Sequence, residues 1–155
     1  MSPLEVPKSA PVAFHHVTPV LSVNDLAGSL DYYVRVLGFH MDWRDENGSS
    51  FASVSRNDCH LFLAVGDQGH PGSWVWAGVS DVDALHEELL ASGARVRHPP
   101  ANYPWGSREL HVEDLDGNVL RLGSDNKPGE PFGDWLDMRG VRWRLDPEGG
   151  WTRAE

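Results

Sequence analysis

Pro104-Trp105-Gly106-Ser107-Arg108-Glu109-Leu110-His111-Val112-Glu113-Asp114-Leu115-Asp116-Gly117-Asn118 places a large ring and a glycine hinge at the mouth of an alternating run. The run closes on Asp-Gly-Asn, a strong local signal for a tight hairpin turn. The turn pins the register of the strand before it. Trp105 and the Arg108-Glu109 pair are therefore delivered to one strand, read here as one wall of a ligand site.

Outward from this stretch the chain falls into two similar halves. Val119 to Gly123 reads as the strand after the turn, Ser107 to Glu113 as the strand before it, and Pro99 to Gly106 as a loop. Upstream, Ser73 to Ser80 is a strand and Asp81 caps a helix carrying Val82, Leu85, Leu89 and Leu90. Ser92-Gly93 stops that helix, and Arg95 to His98 makes a short strand. The first half repeats the order. Phe14 to Val23 is a strand with Val17, Pro19, Leu21 and Val23 on one face, and Pro19 places it at an edge or a bulge. Asn24 or Asp25 caps a helix with Leu26, Leu30, Tyr33, Val34 and Leu37, ended by Gly38. Strands follow at Phe39 to Asp45, Ser50 to Ser55 and Cys59 to Val65, separated by the turns Glu46-Asn47-Gly48 and Arg56-Asn57-Asp58. Two βαβββ units of about sixty residues are the main organisational feature.

The 155 residues suffice for one domain with a substantial core. A formal net charge of −10 argues against nucleic acid as a partner and permits a cationic ligand drawn by an acidic field. No run is apolar enough for a membrane and no signal segment precedes the first strand, so a cytoplasmic protein is expected. Met1 to Pro11 reads as a loose lead-in. The one cysteine, Cys59, suits a reducing compartment and reads as a half-buried strand thiol. Seven tryptophans are many for this length. Trp74, Trp76 and Gly78 share one strand face by the period of two, leaving space beside the rings. Trp76 fits a core as well as a ligand wall, and Phe51 and Phe62 read first as core. Trp105, between Pro and Gly in a loop, has fewer structural reasons to be there. Beyond Ser124 the composition shifts to Pro and Gly, then to Trp135, Trp143 and Trp151 among charges. Three tryptophans argue against disorder. The segment is expected to lie over the domain or a neighbouring subunit as a short strand or helix, where its rings could close the groove.

The paired units resemble the vicinal-oxygen-chelate superfamily, which includes glyoxalase I, extradiol dioxygenases and the glyoxalase/bleomycin resistance proteins. The residues that carry the likeness are Pro19-Val20-Leu21-Ser22-Val23-Asn24-Asp25, Tyr32-Tyr33, Leu37-Gly38-Phe39, Asp81-Val82-Asp83-Ala84-Leu85, Gly93-Ala94, Pro104-Trp105-Gly106, Arg108-Glu109 and Asp114-Leu115-Asp116-Gly117-Asn118. The resemblance implies an α+β fold in which two βαβββ modules form an open curved sheet with helices on its outer face. It implies a single domain over residues 12–124, with modules 12–66 and 72–124 and a C-terminal extension over 125–155. It also implies a homodimer, with strand exchange in the resistance proteins. Enzymes of the superfamily hold a metal at positions that here are Thr18, Trp74 and Arg121, none a plausible ligand; Arg121 is a fixed cation. His60 is the nearest metal candidate, and one ligand does not make a site.

Within the superfamily the chain is most similar to the bleomycin-binding proteins, through Phe51-Ala52-Ser53-Val54, Leu61-Phe62-Leu63-Ala64-Val65, Ser73-Trp74-Val75-Trp76 and Pro104 to Glu109. By that likeness Phe51, Trp76 and Trp105 line the drug groove. The candidate ligand-binding set is Phe51, Phe62, Trp74, Trp76, Trp105, Arg108, Glu109 and Arg121, with no catalytic residue and no cofactor. A planar ring stacked between Trp76 and Trp105 would gain about 0.5–1.5 kcal/mol per ring pair. The expected function is antibiotic-resistance-type sequestration of a small aromatic molecule, cationic or not, such as bleomycin. The rivals are a metal-dependent enzyme of the glyoxalase or dioxygenase type and a partner-binding module.

Overall fold

The computed structural model describes Leu4 and residues 12–154, so the lead-in Met1 to Pro11 otherwise lies outside the described residues. The first module runs β1 Val20–Ser22, α1 Leu26–Asp31, β2 His40–Arg44, β3 Phe51–Arg56 and β4 Cys59–Ala64. The second runs β5 Trp74–Gly78, α2 Val82–Ser92, β6 Arg95–Asn102, β7 Ser107–Glu113 and β8 Val119–Asp125. Each forms its own four-stranded sheet, in the orders β1-β4-β3-β2 and β5-β8-β7-β6. In both, the first strand pairs in parallel with the last and the other pairs are antiparallel. This is the expected α+β fold of two βαβββ modules, built as two open sheets that share one core.

Pleat alternation divides each sheet into a core face and an open face. Leu21, Ala52, Val54, Leu61 and Leu63 fill the core from the first sheet, and Leu110, Val112, Leu120 and Leu122 from the second. The helices cover these core faces, which leaves the opposite face of each sheet open. Asp81 caps α2 as expected, its Oδ1 accepting from Asp83 N and Ala84 N at 3.1 Å each. Gly93, at φ +85°, ends it in the left-handed region. Asp25 occupies the capping position of α1, but its side chain makes no capping bond.

The first helix does not stay α. After Asp31 it continues as a π-helical turn over Tyr32–Val36, so that both tyrosines point inward and are buried. Tyr32 Oη donates to Glu113 O at 2.5 Å, and Tyr33 Oη donates to Asp114 Oδ2 at 3.0 Å. These bonds tie the first module to the end of β7.

Asp116-Gly117-Asn118 is the other joint. Asp114 Oδ1 accepts from the main-chain N of Asp116 and Asn118, which shapes the turn. Asn118, with no exposed surface, donates to Ser22 O of β1 and accepts from Ser73 N ahead of β5. The turn therefore fastens the first strands of both modules.

Three boundaries differ from the sequence reading. β1 is short, and residues 12–17 before it are exposed, with Phe14 at 95% and Val17 at 86%; Pro19 stands just outside an edge strand. β6 extends through Pro99-Pro100 to Asn102 where a loop was expected. The prolines are tolerated because β6 is an edge strand whose register shifts there. Residues 135–153 form neither a lone strand nor a helix. They make a third sheet, β9 Trp135–Leu136, β10 Arg142–Leu145 and β11 Trp151–Arg153, antiparallel throughout.

Candidate functional site

The open face of the second sheet gathers most of the chain's unusual side chains. Register places Trp76, Arg121 and His111 in one row across β5, β8 and β7, with His98 of β6 beyond them. Gly78, Gly123 and Glu109 make the next row. Above these strands, Tyr103 and Trp105 leave β6 in the turn that the glycine hinge closes, Gly106 lying at φ +84°.

Glu109 is the electrostatic centre. It has no exposed surface, and both oxygens are engaged. Oε1 accepts from Arg121 Nε at 2.8 Å and lies 2.9 Å from His111 Nε2. Oε2 accepts from Arg121 Nη2 at 2.9 Å and from Trp105 Nε1 at 2.7 Å. Burial alone would push this carboxyl up, but the hydrogen bonds from His111, Arg121 and Trp105 outweigh it and hold the pKa at about 2. The group is a fixed, fully paired anion with no lone pair free for a metal or a proton.

Rings wall this pair in. Trp105 stacks on Tyr103 with centroids 4.9 Å apart and planes 3° from parallel. His111 lies under Tyr103 at 6.3 Å and 11°, and Trp74 meets His111 edge-on at 5.9 Å. Burial raises the pKa of the Tyr103 hydroxyl and lowers that of His98, so both are held neutral.

Into this box the third sheet inserts Trp135. Its indole stands perpendicular to His111, Tyr103 and Trp105, with centroids at 4.9, 5.6 and 5.4 Å. Trp74 flanks it at 6.0 Å, and the Arg121 guanidinium lies 5.2 Å from its centroid. Trp151 reaches the edge of Trp105 at 6.4 Å. The extension thus lies over the outward face of the second sheet.

The other sequence candidates are dispersed. Trp76, 55% exposed, does not face Trp105 across a gap; its indole lies along the sheet over Gly78 and Gly123. A Cβ at Gly123 would come within 2.8 Å of that ring, so the glycine holds open the space the ring occupies. Trp76 instead lines a polar cleft of about 600 Å³ with Ser107, Asp81, Asp83 and Lys127. Phe51 and Phe62 are half-buried on the open face of the first sheet, where they cluster with Trp43 at 5.7 and 5.6 Å. Arg108 points to the opposite face from Glu109 and is not its ion-pair partner. It pairs with both oxygens of Asp83, at 2.9 and 2.8 Å, and with Glu130 and Asn102.

The donor set does not fit a metal of the superfamily's kind. Thr18 is half-buried ahead of β1, Trp74 is a wall of the ring box, and Arg121 is bound to Glu109. His60 is exposed on the first sheet, 3.8 Å from Asp42. Among the described residues no three His, Cys, Asp or Glu side chains converge.

Tyr103 and His111 belong to this candidate site and were not singled out from the sequence, which marked Trp135 only as one ring of a Trp-rich tail. His111 was legible, since it shares a strand face with Glu109 two residues earlier. Trp135 lies 30 residues beyond Trp105 in the chain and carried only a compositional signal.

Comparison with known proteins agrees with this architecture. A crystal structure of a bleomycin-binding protein from bleomycin-producing Streptomyces verticillus, complexed with copper(II)-bleomycin, is 30% identical. It matches with a TM-score of 0.62 over 74% of this chain and 99% of that one. TioX from Micromonospora sp. ML1 is similar in fold at 24% identity and TM-score 0.62, over 72% of this chain and 99% of that one. So is a bleomycin resistance determinant encoded on transposon Tn5, at 22% and 0.63, over 74% and 100%. No curated protein matches the chain. The family model for the Glyoxalase/Bleomycin resistance protein/Dioxygenase superfamily matches residues 13–122. With the two βαβββ modules, that match makes the chain a member of the Glyoxalase/Bleomycin resistance protein/Dioxygenase superfamily.

Proposed function

We propose that the protein binds a small planar aromatic molecule reversibly and stoichiometrically, in the manner of drug sequestration, and performs no chemistry on it. The observation that carries this reading is the ring box of Trp74, Tyr103 and Trp105 above a Glu109–Arg121 pair whose charges cancel. Such a surface offers stacking area and no paired base and nucleophile, which suits binding. The 30%-identical relative complexed with copper(II)-bleomycin supports bleomycin as the first molecule to try. The net charge of −10 favours a cationic one.

In this reading residues 12–124 form the binding domain, 125–155 are an extension, and the working form is a cytoplasmic homodimer. The exposed Trp43, with Phe51 and Phe62 beside it, gives the first sheet a ring surface that a second copy could face. The proposed ligand-binding set keeps Trp74, Trp105, Glu109 and Arg121 in the box. Trp76 is assigned to its rim, Phe51 and Phe62 to the other sheet, and Arg108 to support from the opposite face.

Titrating tryptophan fluorescence with bleomycin tests the ligand, with saturable quenching at micromolar concentration the expected result. An unchanged spectrum there removes bleomycin. Metal analysis of the purified protein tests the absence of chemistry, and one tightly held transition metal per chain would overturn it. Light scattering tests the dimer.

A further inference from the structure

Trp135 is an unusual occupant for the box it fills. The walls are residues of the matched family region, whereas Trp135 comes from beyond residue 122, where the family model ends. Beneath it, His111 has no exposed surface and its Nδ1 has no hydrogen-bond partner among the described residues. Nε2 faces the Glu109 carboxylate and is the natural donor to it, and in that Nε2–H tautomer Nδ1 is an acceptor. A buried acceptor left unpaired is destabilising, a penalty that a ligand bearing an N–H or O–H would relieve.

The way in which the third sheet is attached also matters. The connection before it is pinned to β6: Asn102 Nδ2 donates to Lys127 O and Glu130 O, and Gly133 N donates to Asn102 O at 2.9 Å. After Gly133 the described main chain bonds only within β9–β11 and its turns. What holds that sheet to the body is ring contact and two side-chain bonds, from Tyr103 Oη to Asp134 O and from Arg97 to Asp137 O. The sheet is thus a self-contained unit hung at Gly133, with Trp135 two residues beyond the hanging point.

We propose that Trp135 is a resident stand-in for the ligand. A planar heteroaromatic molecule carrying an N–H or O–H donor displaces it, donates to His111 Nδ1, and releases β9–β11 from the second sheet. This rests on the reading of the box as the ligand site and adds a built-in competitor to it. A site closed in most molecules binds with an apparent affinity reduced by the open fraction.

The test compares full-length wild type with Trp135→Ala by calorimetric titration, using bleomycin, benzimidazole and N-methylbenzimidazole. Trp135→Ala is expected to bind benzimidazole at least tenfold more tightly than wild type. It should prefer benzimidazole, which has the donor, over the N-methyl compound by a similar factor. Equal or weaker benzimidazole binding by Trp135→Ala overturns the proposal, because Trp135 is then a wall or a bystander. Bleomycin separates the two ideas. Equal bleomycin binding by both proteins keeps drug binding and sinks the displacement. Silence of both towards bleomycin, with benzimidazole held by the variant, sinks the drug and keeps the displacement. Hydrogen exchange on wild type guards against a variant that fails to fold. Saturating benzimidazole should speed exchange across residues 135–153, and an unchanged or slower rate there counts against release.

Discussion

Glu109, read from the sequence as a wall of the ligand site, is the buried anion that ties its neighbours together. Its hydrogen bonds with Arg121, His111 and Trp105 hold those three side chains in place. Glu109→Ala should cost about 3 kcal/mol, because Arg121 and His111 lose a buried anionic partner. Urea denaturation measures this, and an unchanged midpoint would mean that the pair contributes nothing net. Trp105 is half-exposed, yet it stacks on Tyr103 and donates to Glu109. Trp105→Ala is therefore expected to weaken ligand binding and also to lower stability by about 1–2 kcal/mol, less than a fully buried tryptophan would lose. Fluorescence titration and thermal melting read the two effects separately. Gly123→Ala places a methyl within 2.8 Å of Trp76 and should shift that indole at a cost of about 1–3 kcal/mol. The near-ultraviolet circular dichroism of the variant reports the shift.

At the scale of elements, the extension depends on one buried amide. Asn102, 3% exposed, binds Lys127 through both its acceptor and its donor, and also holds Glu130 and Arg108. Asn102→Ala leaves these groups short of partners. It should cost about 1–3 kcal/mol and speed amide exchange across the connection at residues 127–133 and the sheet beyond it. Exchange that stays at the wild-type rate would show that the ring contacts alone hold the extension. The π turn over Tyr32–Val36 plays a similar part on the other side, through the bonds of Tyr32 to Glu113 O and of Tyr33 to Asp114.

For the whole molecule, buried titratable groups of the second module make stability depend on pH. Glu109 falls from an ordinary 4.5 to about 2 in the fold, so its contribution is complete above pH 4.5 and is lost as pH drops towards 2. His98 is lowered from 6.5 by burial, so the unfolded chain takes up its proton first and stability also falls as pH drops below 6.5. Asp114, raised by burial, works in the opposite direction. Denaturation midpoints measured from pH 7 to pH 3 should fall in two steps, and a flat profile would contradict both assignments. The module repeat, the α2 caps and the Asp-Gly-Asn turn were legible in the sequence because they rest on local chemistry: alternation, capping oxygens and a positive φ at glycine. The short β1, the π turn and the prolines inside β6 were not, because edge position and tertiary bonds from Tyr32 and Tyr33 decide them. The candidate site was half legible. Strand alternation alone separates Glu109 from Arg108 and puts His111 beside Glu109. Whether Trp76 meets Trp105, and what fills the space between Trp74 and Trp105, depends on side-chain direction and on a segment distant in sequence. Local periodicity determined this chain's modules and the residues on each face. Only long-range packing, in which a buried asparagine and a hanging sheet carry Trp135 across the chain, decided what stands in the box.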